Sequence, residues 1–122
     1  DHTIAIRTFN AATEADALEV SKAVSRSNLV KTAVFGKDPN WGRVLSEVGT
    51  TKAAFEPDEL NVSINGVMVC KNGGVGEDRN LVSLEERNVR IEIDLNAGTE
   101  EATVLTNDLT HDYVHENSAY SS

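Results

Sequence analysis

The side chains that could do chemistry in this sequence are few and far apart. His111 and His115 stand four residues apart, so a helix would bring both imidazoles to one face, which is half of a zinc-binding pattern. The position after the first histidine is Asp112, where a metalloprotease pair carries Glu, and no third ligand accompanies the two. Two exposed imidazoles near an acidic end are the far better reading. Asn72-Gly73-Gly74 with Gly76 is glycine-rich, but it lacks the Lys-Ser/Thr ending of a phosphate loop and opens no clear helix. It reads as a mobile hairpin loop. Cys70 is the single cysteine, which excludes an internal disulfide framework and a cysteine-built metal site. With only Lys71 as a basic neighbour, it reads as an inert core thiol. No Ser, His and Asp set can be assembled from spacing, because such triads form in space.

Two segments have an unusual composition. After an apolar run beginning at Lys31, the residues Asp38, Asn40, Trp41 and Arg43 crowd together. The only Trp, beside Gly42 and Arg43, could form a binding corner. It could equally be a packed turn in which Arg43 satisfies backbone carbonyls, and the chemistry alone favours the turn. The end, Asn117-Ser118-Ala119-Tyr120-Ser121-Ser122, is polar and of a kind that usually frays, unless Tyr120 anchors it.

The elements that would position these residues follow from periodicity. Residues His2 to Phe9 alternate, with Ile4 and Ile6 on one face, and predict a strand. Thr13 is placed as an N-cap with Glu14 and Asp16 in the first turn of a helix over 14–26, whose inner face carries Ala17, Val20 and Val24. Leu29 to Phe35 is short, apolar and partly β-branched, and predicts a buried strand closed by Gly36. Asp38-Pro39-Asn40 is a turn. Trp41 to Val48 predicts a helix with Val44, Leu45 and Val48 inward and Gly49 at its C-cap. Asn65-Gly66 between two β-branched runs, 62–65 and 67–70, is a strong hairpin signal. Val89, Ile91, Ile93 and Leu95 alternate strictly with Arg90, Glu92 and Asp94 and predict a half-buried strand. Ala102 to Thr106 is expected to return beside it, and Thr110 to cap a last short helix through His115. The fold class expected is α+β, a mostly antiparallel sheet with two or three helices in one domain.

The 122 residues suit one domain. The formal net charge of −9 argues against a nucleic-acid backbone or an anionic membrane as partner. No apolar run approaches the roughly 20 residues that span a bilayer. The chain opens at Asp1, without Met, and alternates by residue 4, which reads as a fragment of a larger polypeptide.

The stretch from Lys31 to Arg43, Lys-Thr-Ala-Val-Phe-Gly-Lys-Asp-Pro-Asn-Trp-Gly-Arg, resembles the hallmark of the arginine-biosynthesis glutamate N-acetyltransferases, also called ornithine acetyltransferases. Val62-Ser63-Ile64-Asn65-Gly66, Asp108 to Val114 and Glu116 to Ser122 match the same family in order, so the resemblance covers essentially the whole chain. It implies an acyltransferase that moves an acetyl group from N-acetylornithine to glutamate, in some members also from acetyl-CoA. It implies autocatalytic cleavage into α and β chains, with the new N-terminal Thr of the β chain as nucleophile and its α-amine as base. That Thr is not in this chain, and the family's substrate-binding Glu would lie just before Asp1. The resemblance therefore implies the C-terminal portion of the β chain, with no catalytic residue here and with Asn117 and Ser122 as its substrate-binding residues. It further implies an α2β2 assembly with the α chain and the remainder of the β chain, a cytoplasmic setting, and no metal or cofactor. The alternatives are a non-catalytic binding or scaffold module sharing the fold, and a paralogue with another acyl acceptor.

Overall fold

Apolar residues at the even positions of the first strand and the odd positions of 89–95 share one buried face, because the two strands lie side by side in a register that matches Ile4 with Val89, Ile6 with Ile91 and Thr8 with Ile93. The computed structural model describes residues 1–108. Its elements run β1 (Thr3–Ala11), α1 (Glu14–Ser25), α2 (Asn28–Phe35), α3 (Trp41–Val48), β2 (Asn61–Ile64), β3 (Val67–Lys71), β4 (Gly74–Val75), β5 (Asn88–Asp94) and β6 (Glu100–Asn107). The six strands form one sheet in the order β4-β3-β2-β5-β1-β6. All neighbours are antiparallel except β1 and β5, which are parallel. The α+β class with a mostly antiparallel sheet and three helices is as expected.

The helices cover the face that carries Ile4, Ile6, Val62, Ile64, Ile91 and Ile93, and the core lies between. Helix α1 packs on β1 and β6. The Thr13 hydroxyl accepts the Asp16 N–H at 3.0 Å, the predicted cap. Helix α3 begins on Asn40, whose Oδ1 accepts the Arg43 N–H at 3.2 Å. It buries Val44 and Val48 and half-buries Leu45.

Three local expectations are corrected. Residues 29–35 are not a strand but α2. Ser27 caps it, its hydroxyl accepting the Val30 N–H at 3.1 Å, and its buried residues Val30, Ala33 and Val34 have the spacing of one helical face. Leu29, at 61% exposed, faces away. Tertiary packing and the cap outweigh the β preference of a short apolar run. Residues 102–106 do not return beside β5. Strand β1 lies between them, and β6 pairs with β1, Ile6 opposite Val104. Finally, the glycine-rich segment is not a free loop, since Gly74 and Val75 add β4 to the edge of β3.

The β2–β3 hairpin turns through Asn65 (φ 49°) and Gly66 (φ 84°), the left-handed pair such a two-residue turn requires. The β5–β6 connection crosses the end of β1 so closely that a Cβ at Gly98 would lie 2.4 Å from the Ala11 carbonyl oxygen. The N–H groups of Ala97 and Gly98 both reach the Asn10 carbonyl, at 2.8 and 2.9 Å.

Candidate functional site

The even-numbered face of β1 continues backward to His2, and that of β6 continues forward to Asp108. Both are polar, and both are buried, 6% and 3% exposed. Because β1 and β6 are antiparallel, the start of one meets the end of the other, and the two side chains close on each other. Asp108 Oδ1 accepts the His2 backbone N–H at 2.7 Å, and Oδ2 lies 2.5 Å from His2 Nδ1. The Asp108 N–H donates to the His2 carbonyl at 3.3 Å. The other ring nitrogen, Nε2, lies 2.7 Å from the Leu84 carbonyl oxygen in the connection before β5.

A carbonyl oxygen only accepts, so Nε2 carries a proton. The Nδ1 contact needs a second proton, held either by the ring, as an imidazolium against a carboxylate, or by the carboxyl group. Both oxygens of Asp108 and both nitrogens of His2 are thereby engaged. Among the described residues, no buried side-chain nitrogen or oxygen lacks a hydrogen-bond partner. Three places in the chain, residues 2, 84 and 108, are thus tied at one point, next to residue 109. Neither His2 nor Asp108 stood out in the sequence as a functional residue. The available signal was parity: each occupies a core-facing position on a strand whose inner residues are otherwise apolar or small.

The other sequence candidates divide clearly. Asn117 and Ser122 lie outside the described residues, as do His111, His115, Thr110 and Tyr120. No cluster of three metal-ligating side chains occurs among the described residues. The Asp38–Arg43 corner is a packed turn. Arg43 Nη1 donates to the Leu29 carbonyl at 2.8 Å, Asn40 Nδ2 donates to Asp38 Oδ2 at 3.2 Å, and Trp41 packs half-buried against the core. The cavity beneath this corner is about 10 Å³, at the lower limit for one water. In the glycine-rich segment, the N–H groups of Gly73 and Gly76 are already bonded to the carbonyls of Leu60 and Val69, at 2.8 and 2.9 Å. They are not free to cradle a phosphate. Cys70 is buried, and burial pushes its thiol above the usual range.

The face of the sheet away from the helices carries charge. Arg7 donates to Glu92 at 2.9 Å and to both oxygens of Glu101 at 3.2 and 3.1 Å, while its guanidinium stacks 4.3 Å from the Phe9 ring. The hydrogen bonds from Arg7 hold the Glu101 carboxyl below its ordinary value. An open groove of about 410 Å³ lies between Asn65, Ser83 and Arg90. Its amide is occupied: Asn65 accepts from the Arg90 N–H at 2.8 Å and donates to the Ser83 carbonyl at 2.8 Å. No helix among the described residues is long and apolar enough to cross a membrane.

Residues 1–122 match the ArgJ family over their full length. The "Arginine biosynthesis bifunctional protein ArgJ" of Streptomyces avermitilis is 66% identical over 119 residues, covering 98% of this chain and 31% of that protein. The protein of the same name from Bifidobacterium longum is 48% identical, covering 99% of this chain and 32% of its own length. A crystal structure of the arginine biosynthesis bifunctional protein argJ from Bacillus halodurans superposes with a TM-score of 0.90 at 29% identity, over 98% of this chain and 58% of that one. This chain therefore spans about a third of the length of the curated relatives it matches. Sequence over its whole length and backbone over nearly all of it agree: the chain belongs to the ArgJ family.

Proposed function

We propose that this chain is the C-terminal portion of the β chain of an ornithine acetyltransferase, an enzyme that moves an acetyl group from N-acetylornithine to glutamate. The observation that carries this reading is the family match over residues 1–122, joined to relatives named as bifunctional proteins of arginine biosynthesis. In the reaction, the hydroxyl oxygen of the nucleophilic Thr attacks the acetyl carbonyl of N-acetylornithine, and ornithine leaves with the proton on its amine. The amine of glutamate then attacks the acetyl-threonine ester, forming N-acetylglutamate and restoring the hydroxyl. The Thr belongs to a part of the enzyme outside this sequence. This segment supplies the six-stranded sheet and its helices as a rigid support, and Asn117 and Ser122 as polar contacts to the acetylated amino acid. Its partners are the α chain and the remainder of the β chain, in an α2β2 assembly in the cytoplasm.

The test is acetyl transfer by the complete enzyme that contains this segment. Incubation with N-acetylornithine and glutamate is expected to yield ornithine and N-acetylglutamate in equal amounts, while the 122-residue chain alone yields neither. Release of free acetate without N-acetylglutamate, or transfer only to another acceptor, overturns the substrate assignment.

A further inference from the structure

The sheet has two edges of unequal length, eight residues in β6 against two in β4. The bond directions along β6 follow from its pairing. The Asp108 N–H donates to the His2 carbonyl and the Thr3 N–H to the Arg87 carbonyl, so on β1 the even residues bond toward β6 and the odd ones toward β5. The register sets Ile4 opposite Thr106 and Ile6 opposite Val104, and the even residues of β6 are therefore the ones bonded to β1. The backbone N–H and C=O groups of Thr103, Leu105 and Asn107 point the other way, out of the sheet. Among the described residues they meet no partner.

A bare row of donors and acceptors recruits foreign strands, and exposed edges are usually guarded by brevity, charge, proline or a bulge. Strand β4 is guarded by brevity. Strand β6 has no such guard over residues 102–107, Ala-Thr-Val-Leu-Thr-Asn, which carry neither charge nor proline, and its register shift lies beyond Ala102. Apolar surface stands on both sides of this edge. Leu105, 69% exposed, lies on the open face of the sheet. On the helix side, Asp16 accepts the Ala54 N–H and so turns one flank of α1 toward the chain after α3. Leu18, also exposed, stands on the opposite flank.

We propose that the outer edge of β6 is completed by an extended strand from the part of the longer enzyme outside residues 1–122, uncharged where it passes Thr103 to Asn107 and apolar toward Leu105 and Leu18. The inference rests on the reading of this chain as one portion of a longer enzyme, not on the reaction. Relatives of which it covers 31% and 32% have ample further chain to supply such a strand. A second copy of this chain fits less well, because it would bring another formal charge of −9 to the same edge.

The experiment is backbone amide exchange in the complete enzyme, resolved to single residues along β6. The amides of Val104 and Thr106 bond to β1 and are slow in either case. Those of Thr103, Leu105 and Asn107 decide. A paired edge is expected to slow them by roughly a hundred-fold or more relative to unstructured chain, so that no alternation along the strand remains. Exchange at these three within about ten-fold of the unstructured rate means an open edge and overturns the proposal. The occupant is read from complete enzyme carrying p-benzoylphenylalanine in place of Leu105, irradiated and digested. A cross-link to a peptide outside residues 1–122 is expected. Adducts confined to residues 1–122, whether within one copy or joining two, overturn the choice of occupant. Should that enzyme fail to assemble, the same replacement at Thr103 reads the same edge.

This inference and the substrate assignment fail separately. Acetyl transfer to glutamate with fast amides at Thr103, Leu105 and Asn107 removes the inference alone. Slow amides in an enzyme that transfers no acetyl group to glutamate remove the substrate assignment alone.

Discussion

Thr8 Oγ1 and Ser21 Oγ lie 2.8 Å apart in the fully buried seam between β1 and α1, and Ser21 passes its own proton to the Ala102 carbonyl of β6 at 3.1 Å. The donors form a short chain from Thr8 through Ser21 to β6, so the two hydroxyls are not equivalent. Ser21→Ala strands the Thr8 donor and is expected to cost about 1 to 3 kcal/mol. Thr8→Val leaves Ser21 bonded to Ala102 and is expected to cost less, about 0.5 to 1.5 kcal/mol. The double variant should fall below the sum of the singles, which urea unfolding of the complete enzyme would show as a non-additive shift in midpoint.

Gly98→Ala is expected to destabilise by at least about 1 to 3 kcal/mol, the range for forcing atoms into a filled site. The obstacle at 2.4 Å is backbone, the Ala11 carbonyl, with the Ala12 Cα at 2.8 Å, so no side chain can swing aside. Gly42→Ala, whose new Cβ would meet only the Asn40 side chain at 3.5 Å, is the control. Equal melting temperatures for the two variants would show that the crossing over β1 is looser than described.

Cys70 is expected to resist a disulfide reagent in the folded enzyme and react on unfolding, since burial both shields the thiol and raises its pKa. The same shift links stability to pH. The unfolded thiol ionises from its ordinary range while the folded one keeps its proton, so stability is fully present below that range and declines as pH rises through and above it. Replacing Cys70 with Ala should flatten this alkaline decline; an unchanged slope would assign the decline to other groups.

Trp41→Ala is expected to harm folding more than binding. The side chain is half-buried against the core, so the loss should lie at or below the ~3 to 5 kcal/mol typical of a buried Trp. An unaltered melting temperature with a large rise in KM would make the Asp38–Arg43 corner a ligand site after all.

The periodic elements were legible because their signals are local. Thr13, Asn65-Gly66 and the alternation at 89–95 each state their own structure. Residues 29–35 were not legible by composition, since Val30 and Val34 suit a strand. Their helical phase and the cap at Ser27 became informative only when packing made one side of the segment the inside. The partner of β6 was hidden for another reason: a turn at 96–100 looks alike whether the chain doubles back on β5 or steps over β1 to its far side, and that choice depends on residues far away in sequence. The His2–Asp108 clasp was half visible, as polar residues at core-facing parity, but nothing local says that the two meet. Asn117 and Ser122 rest on resemblance alone, their segment lying outside the described residues.

The interleaving of β5, β1 and β6 also governs the order in which this segment can assemble. Strand β1 precedes both of its neighbours in the chain, pairing with Asn88–Asp94 on one side and Glu100–Asn107 on the other. On the ribosome it must wait for nearly the whole segment to emerge, with Ile4 and Ile6 unsheltered and both its edges open to foreign strands. Closing so long a loop before any pairing is gained makes for slow folding and a vulnerable intermediate. The helices between β1 and β2 have no such delay. Helix α1 can lay Val20 and Val24 against the apolar side of β1 as soon as both exist, shielding one face of the strand while its hydrogen-bonding edges wait.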